Sequence, residues 1–174
     1  MLLAIVVLLV LLAVLLGFAA TRPDHFRIER SIVITAPAAT VFMQLDDFHH
    51  WTAWSPWEDL DPQLLHEYSG AARGVGAVYQ WAGNRTAGSG RMEIVEVSAP
   101  ARLRIKLDFM KPFEAHNLAD FTVLAEGEHC RLSWAMHGPS PLMARVMGLF
   151  FSMDKMVGAD FERGLANLKA RCEA

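Results

Sequence analysis

The sequence predicts an α+β fold: an N-terminal transmembrane helix, then a curved antiparallel sheet of about seven strands around a long C-terminal helix. Three observations carry it. Residues 1–20, MLLAIVVLLVLLAVLLGFAA, hold no charged side chain. From Phe26 to His137, segments that alternate apolar and polar residues are separated by glycine or proline. Beyond Pro141 the apolar spacing changes from the period of a strand to that of a helix.

A helix over residues 1–20 is about 30 Å long, the thickness of a bilayer's hydrocarbon core. A cleaved secretory signal has a basic start and an apolar core of about 7–15 residues. Here the terminal amine is the only positive group ahead of a longer run, which favours an uncleaved anchor. Gly17-Phe18-Ala19 is a weak cleavage site and leaves a signal peptide as the alternative. Arg22, Arg27 and Arg30 follow the helix and nothing basic precedes it. The positive-inside rule therefore predicts a single-pass protein of the cell membrane with a cytoplasmic domain, the outer face remaining open. Residues 21–25 read as a linker and 26–174 as one domain of ordinary size.

The 16 basic and 19 acidic residues all lie beyond the helix, and a net charge of −3 provides no field for nucleic acid. Cys130 and Cys172 are too far apart in sequence for a metal-ligand pair, and none of the seven histidines has metal spacing. Gly74-Val75-Gly76 precedes a strand, not a helix, so it is no phosphate loop. No metal or cofactor is expected.

Taken in order, Phe26–Ile34 is β-branched and alternating, a first strand. Pro37 suits the first turn of a helix over Ala38–Leu45. Phe48–Pro62 is aromatic and broken by prolines, so short turns of helix and loop are expected. Strands follow at Leu64–Ser69, Val75–Trp81, Gly88–Val97, Arg102–Phe109, Phe113–Leu124 and His129–His137. The clearest is Arg102–Phe109: Leu103, Ile105, Leu107 and Phe109 share one face, Arg102, Arg104, Lys106 and Asp108 the other. One buried and one wet face is the antiparallel habit. From Pro141, Met143, Val146, Met147, Phe150, Met153, Val157, Phe161, Leu165 and Leu168 fall on one face of a single long helix.

Several blocks have a family character: Arg30-Ser31-Ile32-Val33-Ile34-Thr35-Ala36-Pro37 with Val41-Phe42, Trp51-Thr52-Ala53-Trp54-Ser55-Pro56-Trp57, Trp81-Ala82-Gly83-Asn84, Gly88-Ser89-Gly90-Arg91-Met92, and Asp160-Phe161-Glu162-Arg163-Gly164-Leu165. Together with the element order they resemble the SRPBCC superfamily (START-like, helix-grip) and, within it, the bacterial polyketide cyclase/dehydrase-like branch, over residues 26–170. The resemblance implies an apolar cavity between sheet and terminal helix. It does not choose among the carriers, receptors, chaperone activators and cyclases that share the scaffold.

Candidate lining residues follow from shared faces. Trp54 belongs to the aromatic block. Tyr79 with Trp81, Met92 with Ile94, Leu107 with Phe109, and Trp134 with Met136 pair along strands. Met143, Met147 and Phe150 come from the helix. Methionine adapts to varied apolar shapes, which suits a pocket, although a packed core has the same composition. Asp154 falls in the apolar sector between Phe150 and Phe161, and a buried carboxylate needs a partner or loses its charge. The Asn84–Arg91 region, with Arg85 and Arg91 first, is where that partner is expected; the alternative is a polar handle or general acid at the pocket floor. No catalytic residue is assigned.

Three functions remain. One is a membrane-anchored domain that binds an apolar, lipid-like or polyketide-like small molecule. Another is a cyclase or dehydratase using Asp154 with a histidine or tyrosine. The third is a protein-interaction module with an exposed aromatic patch and no ligand.

Overall fold

The computed structural model describes residues 1–174. One seven-stranded antiparallel sheet has the order β1-β7-β6-β5-β4-β3-β2. The strands are β1 (His25–Ile34), β2 (Leu65–Gly70), β3 (Ala77–Ala82), β4 (Ser89–Ser98), β5 (Arg102–Lys111), β6 (Ala115–Glu126) and β7 (His129–Pro139). β2 to β7 form a continuous meander, and β1 closes the far edge against β7. The predicted strands all form, with edges shifted by a residue or two. Four helices accompany them: α1 (Leu2–Ala20), α2 (Ala38–Met43), α3 (Leu142–Met147) and α4 (Met153–Cys172). Two 3-10 turns, Phe48–Ala53 and Glu58–Leu60, occupy the proline-broken aromatic stretch.

α4 lies along β1. Gly158 sits beneath the Arg30 guanidinium, where any Cβ would overlap it. A Cβ on Gly164 would lie 3.0 Å from Trp134 and from Pro56, so small residues set how closely the helix approaches. Polar ties complete the seat. Lys169 Nζ donates to the Val33 carbonyl at 2.8 Å, Asn167 Nδ2 to that of Trp54 at 3.2 Å, and Arg163 Nη2 to that of Pro56 at 3.3 Å.

Between α4 and the sheet the space is filled by rings. Trp134 stacks on Phe161 at 4.1 Å and 7°, and on Phe121 at 5.0 Å. Trp51, Trp54 and Trp57 close around it edge-on. The indoles of Trp51 and Trp54 donate to the carbonyls of Leu45 (3.1 Å) and Gln44 (3.3 Å), which satisfies the buried N–H groups.

The helix after Pro141 is not continuous. α3 stops at Gly148, and Ser152 caps a new helix, its Oγ accepting from the Lys155 N–H at 3.3 Å. Glycine weakens the helix interior and serine at an N-cap starts a fresh one, so the sequence breaks where these two meet. α3 consequently leaves the sheet and lies beside α1.

Candidate functional site

Strand register assembles the site. On the face that α4 packs against, Tyr68, Tyr79, Met92, Leu107 and Asn117 form one row across β2 to β6. His66, Trp81, Gly90, Phe109 and Ala115 form the next. α4 covers the β1 side of this face and the first 3-10 turn packs on β3, so Tyr79, Ile94 and Ile105 are closed and only the end of β3–β5 toward the β5–β6 turn is left partly open. Trp81, Met92, Leu107 and Phe109 are accordingly only half-buried. Gly90 is what makes room for the Trp81 ring, since a Cβ there would overlap the indole. Trp81 stacks beside Tyr79 (6.2 Å, 19°) and meets Phe109 edge-on at 5.8 Å. The result is an open trough, aromatic at one wall and flexible at Met92.

A polar cluster borders it. The Tyr79 hydroxyl donates to Glu58 Oε1 at 2.9 Å and lies 3.1 Å from His66 Nδ1, which is 3.5 Å from Glu58 Oε2. A phenol has one proton to give. With that proton on Glu58, His66 Nδ1–H donates to the Tyr79 oxygen and Nε2 stays free. Burial pushes the Tyr79 phenol well above its ordinary range, and the Glu58 charge adds to that, so it is a neutral donor. Neither Glu58 nor His66 stood out in sequence. Glu58 comes from a 3-10 turn and His66 from β2, and only pairing through β3 unites them. The one available signal was His66 lying two residues from Tyr68, hence on the same face of a strand.

The predicted lining residues divide three ways. Trp54, Tyr79, Ile94, Trp134 and Met136 are in the closed core, none more than 7% exposed. Trp81, Met92, Leu107 and Phe109 line the trough. Met143, Met147 and Phe150 are not lining residues: they are 71, 50 and 66% exposed, because α3 turns away from the sheet.

Asp154 is also corrected. It is exposed, not buried, and its two carboxylate oxygens accept from Arg30 Nη1 and Nη2, each at 3.0 Å. Its azimuth on α4 is that of the buried Gly158, Phe161 and Leu165, so its position along the helix, not its phase, exposes it. With α4 starting at Met153, Asp154 is a first-turn residue at the rim of β1, where a carboxylate also suits the helix N-terminus. The Arg30 hydrogen bonds hold its carboxyl below the usual range. Arg30 further donates to Glu162 at 2.7 Å. The expected partners lie elsewhere: Arg91 pairs with Glu93 at 2.8 Å on the outer face, and Arg85 is exposed. Asn84 is structural, its Oδ1 accepting from the Thr86 and Ala87 N–H groups at 2.8 and 3.1 Å. With Arg85, Gly88 and Lys111 it rims an open basin of about 380 Å³ at the sheet's end.

The family described as polyketide cyclase/dehydrase and lipid transport matches residues 25–173. No curated protein matches the sequence. Solved structures of the same fold include a Thermobifida fusca protein, 25% identical with a TM-score of 0.60, covering 83% of this chain and 91% of that one. Ginseng major latex-like protein 151 from Panax ginseng is 13% identical with a TM-score of 0.61, covering 87 and 100%. Protein CV1439 from Chromobacterium violaceum is 16% identical with a TM-score of 0.60, covering 88 and 99%.

Proposed function

The chain belongs to the polyketide cyclase/dehydrase and lipid transport family, and from that premise we propose that it is a membrane-anchored domain that carries or senses an apolar, lipid-like or polyketide-like small molecule. The fold is compatible with apolar ligands. What carries the reading is the pair of register rows that leaves Trp81, Met92, Leu107 and Phe109 partly exposed side by side on the inner face. Apolar surface of this kind gains about 25 cal/mol for each Å² a ligand covers. Glu58 and His66, held at its border by the buried Tyr79 hydroxyl, offer a polar end of the ligand its hydrogen bonds. α1 is long and apolar enough to cross a membrane. As an anchor it keeps the trough near the source of such molecules, with Arg22 and Arg27 on the cytoplasmic side.

The test is native mass spectrometry of the full chain released from lipid nanodiscs. A retained apolar molecule is expected in the wild type and lost in Met92→Lys and Leu107→Gln. An empty wild type, or retention unchanged in both variants, overturns the reading.

The carboxylate–imidazole–phenol cluster favours a second reading, in which the bound molecule is dehydrated. Acid–base work of this kind requires titratable groups within hydrogen-bond reach, which Asp154 lacks and Glu58 has. The retained molecule would then be lighter by one water in the wild type than in Glu58→Gln. Identical masses remove the enzymatic reading and leave the carrier.

A further inference from the structure

We infer that the segment from Leu142 to Met156, with the β5–β6 tip, is a second membrane contact that lies in the lipid interface and holds one end of the sheet against the bilayer. The inference rests on the reading of α1 as an anchor. Large apolar side chains are exposed singly at Met43, Leu65, Val75, Val95 and Leu124, and gather in one place. Met143, Met147, Phe150, Phe151 and Met156 are each at least half exposed, all within one stretch of chain. A soluble surface rarely gathers so many without a partner.

Position identifies the partner. Register places His25, where the chain enters β1, opposite Pro139, where it leaves β7, and Leu118 of β6 opposite His137. The β5–β6 tip is therefore at that same end, and there Met110 and Phe113 are 51 and 82% exposed. α1 also arrives there, ending at Ala20, only four residues before β1 begins. α3 lies beside the end of α1. Arg145 fixes the junction: its Nη1 donates to the carbonyls of Ala20 (3.1 Å) and Arg22 (3.2 Å). The apolar surface thus continues the surface of a helix built for lipid. A surface meant for water would not extend it.

Arg22, Arg85, Lys111 and Lys155 are exposed around the same end, outnumbering the exposed carboxylates Asp24 and Glu114 there, and can meet anionic headgroups while the apolar side chains enter the acyl boundary. At the opposite end the turns are polar and charged: Glu126-Gly127-Glu128-His129, and Ser98 to Arg102. Val75 and Leu124 are isolated exposed apolar residues there. The trough opens on the same sheet, so seating this end on the bilayer brings Phe109 and Trp81 toward the lipid.

The experiment is photolabelling of the full chain in phosphatidylcholine–phosphatidylglycerol vesicles that contain a lipid with a diazirine high on its acyl chain, with adducts mapped by peptide mass spectrometry. Adducts are expected on residues 2–20, on 142–156 and on 110–113, several-fold above Val75 and Leu124. The double variant Phe150→Ser/Phe151→Ser should lower labelling of 142–156 and leave 2–20 unchanged. Labelling of 2–20 without 142–156 overturns the inference while keeping the anchor, and assigns the patch to a protein partner. Labelling of 142–156 without 2–20 removes the anchor and keeps the surface contact. Equal labelling of both ends of the sheet, or none, overturns the inference outright.

Discussion

The inner face of one sheet behaves differently in its two halves. Under α4, Trp134, Phe121, Ile34 and Leu132 are at most 3% exposed and interlock with Phe161, Leu165 and Leu168. Across β3–β5 the same alternation of apolar residues produces Trp81, Met92, Leu107 and Phe109, which are left half-open. The strands do not differ in pattern. What differs is the layer above them: α4, with glycines at 158 and 164, settles on β1, the first 3-10 turn packs on β3, and neither reaches the end of β3–β5 where these four residues lie. Burial is decided by the partner layer, and alternation in a strand says only which face is apolar.

The comparison is broken most directly by truncating an indole in each half. Trp134→Ala should cost about 3–5 kcal/mol, as for large aromatic truncations in closed cores. Trp81→Ala should cost less, about 1–3 kcal/mol, since part of its surface already meets solvent. Denaturant unfolding of the full chain in a mild detergent measures both. Equal costs would mean that the β3–β5 half is as closed as the other.

Gly158→Ala probes what lets α4 sit so near. Its Cβ would occupy the place of the Arg30 guanidinium, so Arg30 must swing out and abandon Asp154 and Glu162. Overpacking of this kind costs about 1–3 kcal/mol. A crystal structure should show the Asp154 carboxylate free. If Gly158→Ala is neutral and the ion pairs persist, helix approach does not depend on that glycine. A comparable cost, about 1–3 kcal/mol, is expected for Gly90→Ala, whose Cβ would overlap the Trp81 ring and lie 2.6 Å from the Asp108 backbone carbonyl oxygen on β5. Displacing that ring should also weaken ligand retention.

Much of this was legible beforehand, and the reasons for the rest are specific. Period-two alternation, with glycine and proline breaks between segments, located the strands, most plainly β5, which has one buried and one wet face. Trp51 and Trp54 of the tryptophan block are core, each with its indole N–H satisfied locally, so Trp54 is a closed position and not an open lining one. Asp154 shares the azimuth of Gly158, Phe161 and Leu165 on α4 but stands in its first turn, before the buried stripe begins, and Gly148 and Ser152 were the signals for where that turn starts. Glu58 with His66 could not have been found, since a contact made through Tyr79 depends on where a 3-10 turn folds over the sheet. Which candidate lining residues are open and which are closed depends on the seat of α4, and no strand pattern records that.

The smallest expected effects lie on the outer face, where titration separates two ion pairs of opposite sense. Burial raises the Asp120 carboxyl, but hydrogen bonds from Arg104 (2.7 and 3.2 Å) and His137 (3.0 Å) outweigh it and hold the group below its ordinary value. A lowered folded value means that the folded state prefers the carboxylate. Its stabilisation is complete above the unfolded carboxyl range near 4 and is lost as pH falls through the folded value. His116 has the reverse sense. Its hydrogen bond to Asp108 at 2.7 Å raises it, so its contribution is complete below about 6.5 and disappears as pH rises through the raised value. Asp120→Asn should therefore flatten the acid limb of a Tm-against-pH curve, by roughly 1 kcal/mol for a half-shielded charged hydrogen bond. His116→Gln should leave that limb nearly as it was and remove only a shallow decline above neutrality, because His116 is exposed and its ion pair is screened. If the two variants exchange these signatures, the outer-face pairs are not formed as described, and the register of β5, β6 and β7 that brings Asp108, Asp120, His116 and His137 together would be the first thing to re-examine.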